Sequence, residues 1–200
     1  RQKKLAFHKK FGIYDAILTS FGLCKKAFEI LADKTNNNKD LIKQSAINMG
    51  FNGLIGGQKI DLDIQKKFIN TKNDVETLNY IVKNKTAKLF KLSAIVGTHF
   101  TKATEEQKKL LIEYAYNLGF AFQILDDLKT PNEKNPLTFY KLYGYETALK
   151  ILKTKVNKAI KQIESFGDKA KFLKFLALVI INKAEKLKLK ANLDQKQINL

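Results

Sequence analysis

Lys85 and Thr86 stand side by side in a stretch of helical periodicity. Ile81, Lys85, Leu89, Leu92 and Val96 recur at three- and four-residue steps, so the spacing predicts a core-facing row with Lys85 inside it. A lysine in such a row must be paired or must snorkel to water. Alternatively it aims an ammonium into an internal cavity to bind an anion, with the Thr86 hydroxyl as a second donor. Gln123, Asp126 and Asp127 form a second group, because offsets of three and four residues put them on one helical surface. Leu118, Phe122 and Leu125 mark the apolar face beside them. Adjacent carboxylates on a half-buried face repel unless a cation joins them, and Mg²⁺ suits them because it takes carboxylates together with waters and substrate phosphates. A solvated Asp pair near a helix end is the plainer alternative. An ammonium and a magnesium-binding carboxylate pair would together receive a diphosphate. No P-loop or dinucleotide fingerprint is present.

The elements that must position these groups read as helices. Phe7, Phe11, Tyr14, Ile17, Leu18 and Phe21, then Phe28 and Leu31, keep helical steps. So do Leu78, Ile81, Val82, Leu89, Leu92 and Val96; Leu111, Tyr114, Leu118, Phe122 and Leu125; and Ala148, Ile151, Leu152, Val156, Ile160 and Ile163. Polar clusters at 33–40, 70–74, 101–104, 129–136 and 164–168 separate them. Thr104 followed by Glu105 and Glu106 predicts a helix start, as does Asp74 with Glu76. No two-residue alternation and no internal repeat is visible. A helix is expected over 46–62, where Ala46, Gly50, Gly53 and Gly57 fall on one stripe and imply close approach of another helix backbone or a ligand. The expectation is an all-α single domain, residues 1–200, of six or so long helices.

Composition narrows the function classes. The 200 residues hold 37 Lys+Arg against 19 Asp+Glu, a formal charge of +18, yet 44% are hydrophobic, which excludes a disordered basic tail. The basic excess raises nucleic acid or an anionic membrane surface as partners. Lys outnumbers Arg and is spread along the chain, which points instead to solvated helix faces and no nucleic-acid partner. One cysteine, Cys24, excludes an internal disulfide framework and fits a cytoplasmic setting. Two histidines leave little for a His-based metal site. The best apolar run, 172–181, is far short of the ~20 residues of a membrane span, so no stable membrane insertion is expected. The opening Arg1 is not a Met, and the chain reads as starting inside a longer protein.

Three motifs now carry a resemblance. Gly56-Gly57-Gln58-Lys59-Ile60-Asp61-Leu62 fits GGQxxDL, Lys85-Thr86-Ala87-Lys88-Leu89 fits KTxxL, and Gly119 to Asp127 fits GxxFQxxDD. Upstream, Arg1 and His8-Lys9-Lys10-Phe11-Gly12 look like an "RRG…HxxFG" segment. In this order they resemble the trans-type isoprenyl diphosphate synthases, the all-α polyprenyl synthetases. The form of GGQxxDL is most similar to bacterial short-chain members of the farnesyl diphosphate (geranyltranstransferase) type.

The resemblance implies an isoprenoid-synthase-type bundle of long helices around a central cavity. It implies a Mg²⁺-dependent prenyltransferase, usually a homodimer, that condenses isopentenyl diphosphate with an allylic diphosphate to a short-chain product such as farnesyl diphosphate. The allylic diphosphate ionises, isopentenyl diphosphate attacks the allylic cation, and a proton leaves. Asp126 and Asp127 would hold Mg²⁺. Lys85, Thr86 and Gln123 would act at the reacting end, and Arg1, Lys85, Gln123 and Gln58 would bind substrate.

The chain also departs from the pattern. The first aspartate-rich motif would lie just before Arg1, with the N-terminal helices, and the fragment alone is expected to be inactive. Gln2 replaces the second Arg, Ser20-Phe21 replaces Gly-Asp, Thr130 stands where a third Asp would be, and Pro136 stands near the place of a diphosphate-binding Lys. The alternative is a non-catalytic homologue or regulatory subunit of a prenyl synthase.

Overall fold

The computed structural model describes residues 5–71, 73–131 and 134–198, with side chains described to residue 188. Arg1 and Gln2 therefore lie outside the described residues. Among those described there are helices and no strand. In order they are α1 (Phe7–Phe11), α2 (Ile13–Lys34), α3 (Lys39–Met49), α4 (Leu54–Gln65), α5 (Asp74–Ile81), a π-helical segment (Val82–Ala87), α6 (Lys88–His99), α7 (Glu105–Lys129), α8 (Phe139–Gln162), a 3₁₀ segment (Glu164–Ala170) and α9 (Lys171–Ile198). No described helix is long and apolar enough to cross a membrane.

The chain divides into two compact units, residues 1–44 and 45–200. In the first, the expected periodic helix is split at Gly12, whose φ of 92° is open to glycine at little cost. Asn36 and Asn37 turn the chain after α2 with φ of 51° and 57°, the left-handed region asparagine tolerates. No residue of the apolar row of α1 and α2 is fully buried, and only Phe28 and Leu31 at its end are half-buried. Tyr14 is 84% exposed, and Ile17, Leu18 and Phe21 are also open.

The second unit holds the core, built mainly on α7, α8 and α9. Ile124, Leu125, Leu152, Val156 and Ile163 are fully enclosed. Tyr114 in α7 donates to the Leu173 carbonyl of α9 at 2.8 Å, and Tyr145 in α8 donates to the Ala184 carbonyl at 2.5 Å. Helix starts follow the predicted signals. Asn73 caps α5 by accepting from the Glu76 N–H, and Thr104 begins α7 with a capping box closed by Gln107. Gly144, at φ 71°, kinks α8.

Three expectations are corrected. The helix over 46–62 is two helices, α3 and α4, with a turn at residues 50–53, so the small-residue stripe is not continuous. Within that stripe only Gly57 has the expected close approach inside a helix. A Cβ there would lie 2.4 Å from the Lys85 backbone nitrogen, so its missing side chain lets α4 touch the π-helical segment.

The row from Ile81 to Val96 is not continuous either. The π-helical turn carries an extra residue per turn and shifts the register. Ile81 and Leu92 are buried, but Leu89 is 45% exposed. Phe122, placed on the α7 core face, is 40% exposed and packs its ring 5.5 Å from Phe90.

Candidate functional site

The site is assembled from α4, the π-helical segment, α7 and the connection between α7 and α8. π-turns are rare inside helices and occur frequently at functional sites. Here one carries Lys85 and Thr86. Lys85 pairs through Nζ with Asp61 Oδ2 of α4 at 2.6 Å, with its side chain 27% exposed against 3% for Asp61. The lysine is thus paired within the chain rather than merely snorkelling.

Thr86 turns the other way, toward α7. Its Oγ1 donates to Gln123 Oε1 at 2.6 Å, and Gln123 Nε2 donates to Asp127 Oδ1 at 2.9 Å. Both ends of the Gln123 amide are therefore engaged. Asp127 Oδ2 accepts the Phe139 backbone N–H at 2.9 Å, so this carboxylate closes the first turn of α8. Burial pushes Asp127 up to about 6, against the opposing pull of the Phe139 and Gln123 hydrogen bonds. The neighbouring Asp126 raises it further and Lys85 lowers it. Lys85, Thr86, Gln123 and Asp127 thus form one connected region.

The two residues predicted to hold metal differ in burial. Asp127 is 7% exposed with both oxygens accepting hydrogen bonds. Asp126 is half-buried on the same turn, where Thr130 Oγ1 donates to its carbonyl at 3.2 Å. Among the described residues no group of three or more His, Cys, Asp or Glu is arranged to hold a metal ion. Hard carboxylate oxygens nonetheless match Mg²⁺, which takes one or two carboxylates and completes its shell with water and substrate phosphate. The donor chemistry fits, with Asp126 the more accessible carboxylate and Asp127 its buried neighbour. Gln58 lies in α4, half-buried, between Gly57 and Lys59. Arg1 lies outside the described residues.

Sequence reading assigned no role to two residues that the structure brings in. Asp61 accepts from Lys85, from Gln65 Nε2 at 3.0 Å and from Asn135 Nδ2 at 2.9 Å. Asn135, in the α7–α8 connection, is buried and linked to its own loop, because its Oδ1 accepts from the Leu137 N–H at 3.1 Å. The GGQxxDL match contained Asp61, and that membership was the available signal. Nothing local announced Asn135.

Residues 1–134 match the Polyprenyl synthetase family, and the chain belongs to it. It is 33% identical to geranylgeranyl diphosphate synthase of Cyanophora paradoxa over 92% of this chain and 66% of that protein. It is 30% identical to farnesyl diphosphate synthase of Bacillus subtilis over 64% of this chain and 44% of that one. The apo crystal structure of an FPP/GFPP synthase from Zymomonas mobilis superposes with a TM-score of 0.80 at 32% identity, covering 90% of this chain and 65% of that one. The fold is that of the isoprenyl synthases. The chain spans just under two thirds, or less, of the lengths of these relatives.

Proposed function

We propose that the whole protein is a Mg²⁺-dependent trans-prenyltransferase that joins isopentenyl diphosphate to an allylic diphosphate, dimethylallyl or geranyl. The observation that carries this reading is the convergence of the KTxxL and GxxFQxxDD motifs in one hydrogen-bonded region, Thr86 to Gln123 to Asp127, beside Lys85. Those are the groups such a reaction needs. The allylic C1–O bond breaks and its electrons leave with the diphosphate. The double bond of isopentenyl diphosphate attacks C1, and a proton is lost to restore the alkene.

Lys85 is read as the cation that contacts the departing diphosphate, and Gln123, latched by Thr86, as an amide facing the reacting end. Gln58 and Arg1 are read as further substrate contacts. Mg²⁺ at Asp126, supported by Asp127, would neutralise the diphosphate as charge develops on it. A short-chain product such as farnesyl diphosphate is part of the proposal, although the relatives include both farnesyl and geranylgeranyl synthases.

A single domain over residues 1–200, a homodimer and a cytoplasmic setting complete this reading. The open apolar row Tyr14, Ile17, Leu18 and Phe21 supports a partner subunit. Full-length protein incubated with labelled isopentenyl diphosphate, geranyl diphosphate and Mg²⁺ should form an extended prenyl diphosphate. Lys85→Ala should weaken allylic substrate use with helical circular dichroism unchanged. No turnover by the intact protein overturns the proposal. A second reading, a non-catalytic subunit, draws on Thr130 in place of a third carboxylate; product formed only after adding a catalytic relative would favour it.

A further inference from the structure

Asp61 is 2% exposed, and a carboxylate so buried is costly unless it is paired and hydrogen-bonded. Three donors from three elements meet it. Lys85 comes from the π-helical segment, Gln65 from one turn further along α4, and Asn135 from the α7–α8 connection. Asn135 is itself fixed, because Leu137 N–H donates to its side chain and Lys141 Nζ donates to its carbonyl at 2.7 Å. The carboxylate is therefore held from two directions before it touches the lysine. A lysine has a flexible four-carbon stem and three donors. Asp61 takes one of them and leaves the rest of a 27%-exposed side chain for a ligand.

We infer that Asp61 is a positioning residue for Lys85, and that Asn135 fixes Asp61 in turn. This rests on the reading that Lys85 contacts a diphosphate. A rigid carboxylate sets where the ammonium stands, so its contact is ready as the leaving group gains charge. Such pre-organisation acts on turnover more than on ground-state binding.

The test is a double-mutant cycle in full-length protein. Asp61→Asn should lower kcat about tenfold while KM for the allylic diphosphate changes by less than about threefold. In a Lys85→Ala background the same change should cost less than about twofold, because the residue acts through the lysine. Asn135→Ala, which keeps the Asp61–Lys85 pair, should give a smaller loss of kcat that also vanishes without Lys85, and it serves if Asp61→Asn does not fold. Penalties equal in both backgrounds, or losses that follow the folded fraction in a thermal melt, overturn the inference.

If wild-type protein turns nothing over, the proposed function fails, and the same cycle read by calorimetric binding of inorganic pyrophosphate, which carries the charge of the departed leaving group and not that of the ground-state ester, still decides the inference. Coupling between residues 61 and 85 supports it. Zero coupling, or no pyrophosphate binding by wild type, overturns it.

Discussion

Asp127, the second carboxylate of the GxxFQxxDD motif, is engaged within the fold at both oxygens. Its two oxygens accept from Gln123 Nε2 and from the Phe139 N–H, so it joins α7 to the start of α8 while holding the amide that faces Thr86. Replacing it with Ala would leave a buried backbone donor and a side-chain amide without their partner. A buried donor left unmade costs about 1–3 kcal/mol, so the substitution should remove about 3 kcal/mol in all. Urea unfolding in excess chelator checks this, because any loss seen there cannot come from a metal. A loss below about 1 kcal/mol would return Asp127 to a purely ligand-binding role. Lys85 is likewise engaged within the fold. Its place in an apolar row required a partner, an exit to water or a bound anion, and only the folded chain identifies a partner, Asp61, 24 residues away.

At the scale of elements, the π-helical segment decides the site. A regular helix from Asp74 to His99 would keep Ile81, Lys85 and Leu89 in one row. The wider turn instead sends Leu89 to solvent and presents Lys85 to α4 and Thr86 to α7. Contact with α4 is close enough that Gly57 has no room for a Cβ, which would meet the Lys85 backbone nitrogen at 2.4 Å and the Asn84 side chain at 2.8 Å. Both neighbours are anchored, since Asn84 is buried and donates to the Tyr80 carbonyl at 2.9 Å. Gly57→Ala should therefore destabilise the fold by about 1–3 kcal/mol and displace Lys85, lowering turnover beyond what unfolding explains. Thermal melts alongside initial rates separate the two effects, and an alanine variant with unchanged stability and rate would refute the close approach.

For the whole molecule, the charge of +18 is carried largely by lysines on helix surfaces. Lys153 with Glu185 and Lys188 with Glu146 bridge α8 and α9 at 2.6 and 2.7 Å, and all four side chains are at least 39% exposed. Exposed pairs of this kind contribute little to stability. Lys155 lies over the Phe120 ring at 4.2 Å and serves packing between α8 and α7. No nucleic-acid partner is needed to account for the excess. The acidic groups are few where a diphosphate would need its counter-cations. The proposed metal clamp rests on the two adjacent carboxylates at the end of α7. Residues 1–200 by themselves are thus expected to form no product from isopentenyl and geranyl diphosphates with Mg²⁺. Radiochemical detection of a prenyl diphosphate from this segment alone would overturn that expectation.

The sequence by itself determined the helical class, the starts of α5 and α7, the polar breaks between elements and the motifs that mark the family. These are local properties. Hydrophobic periodicity, capping side chains and contiguous motifs act within a few residues, and reading along the chain samples that range. The tertiary structure decided which partner each motif residue meets. Asp61 receives Asn135 across 74 residues, Thr86 reaches Gln123 across 37, and the π-turn that carries Thr86 has no mark in the apolar pattern. The difference in burial between Asp126 and Asp127 was hidden for the same reason. Two identical side chains, adjacent in sequence, differ only in what the fold brings against them.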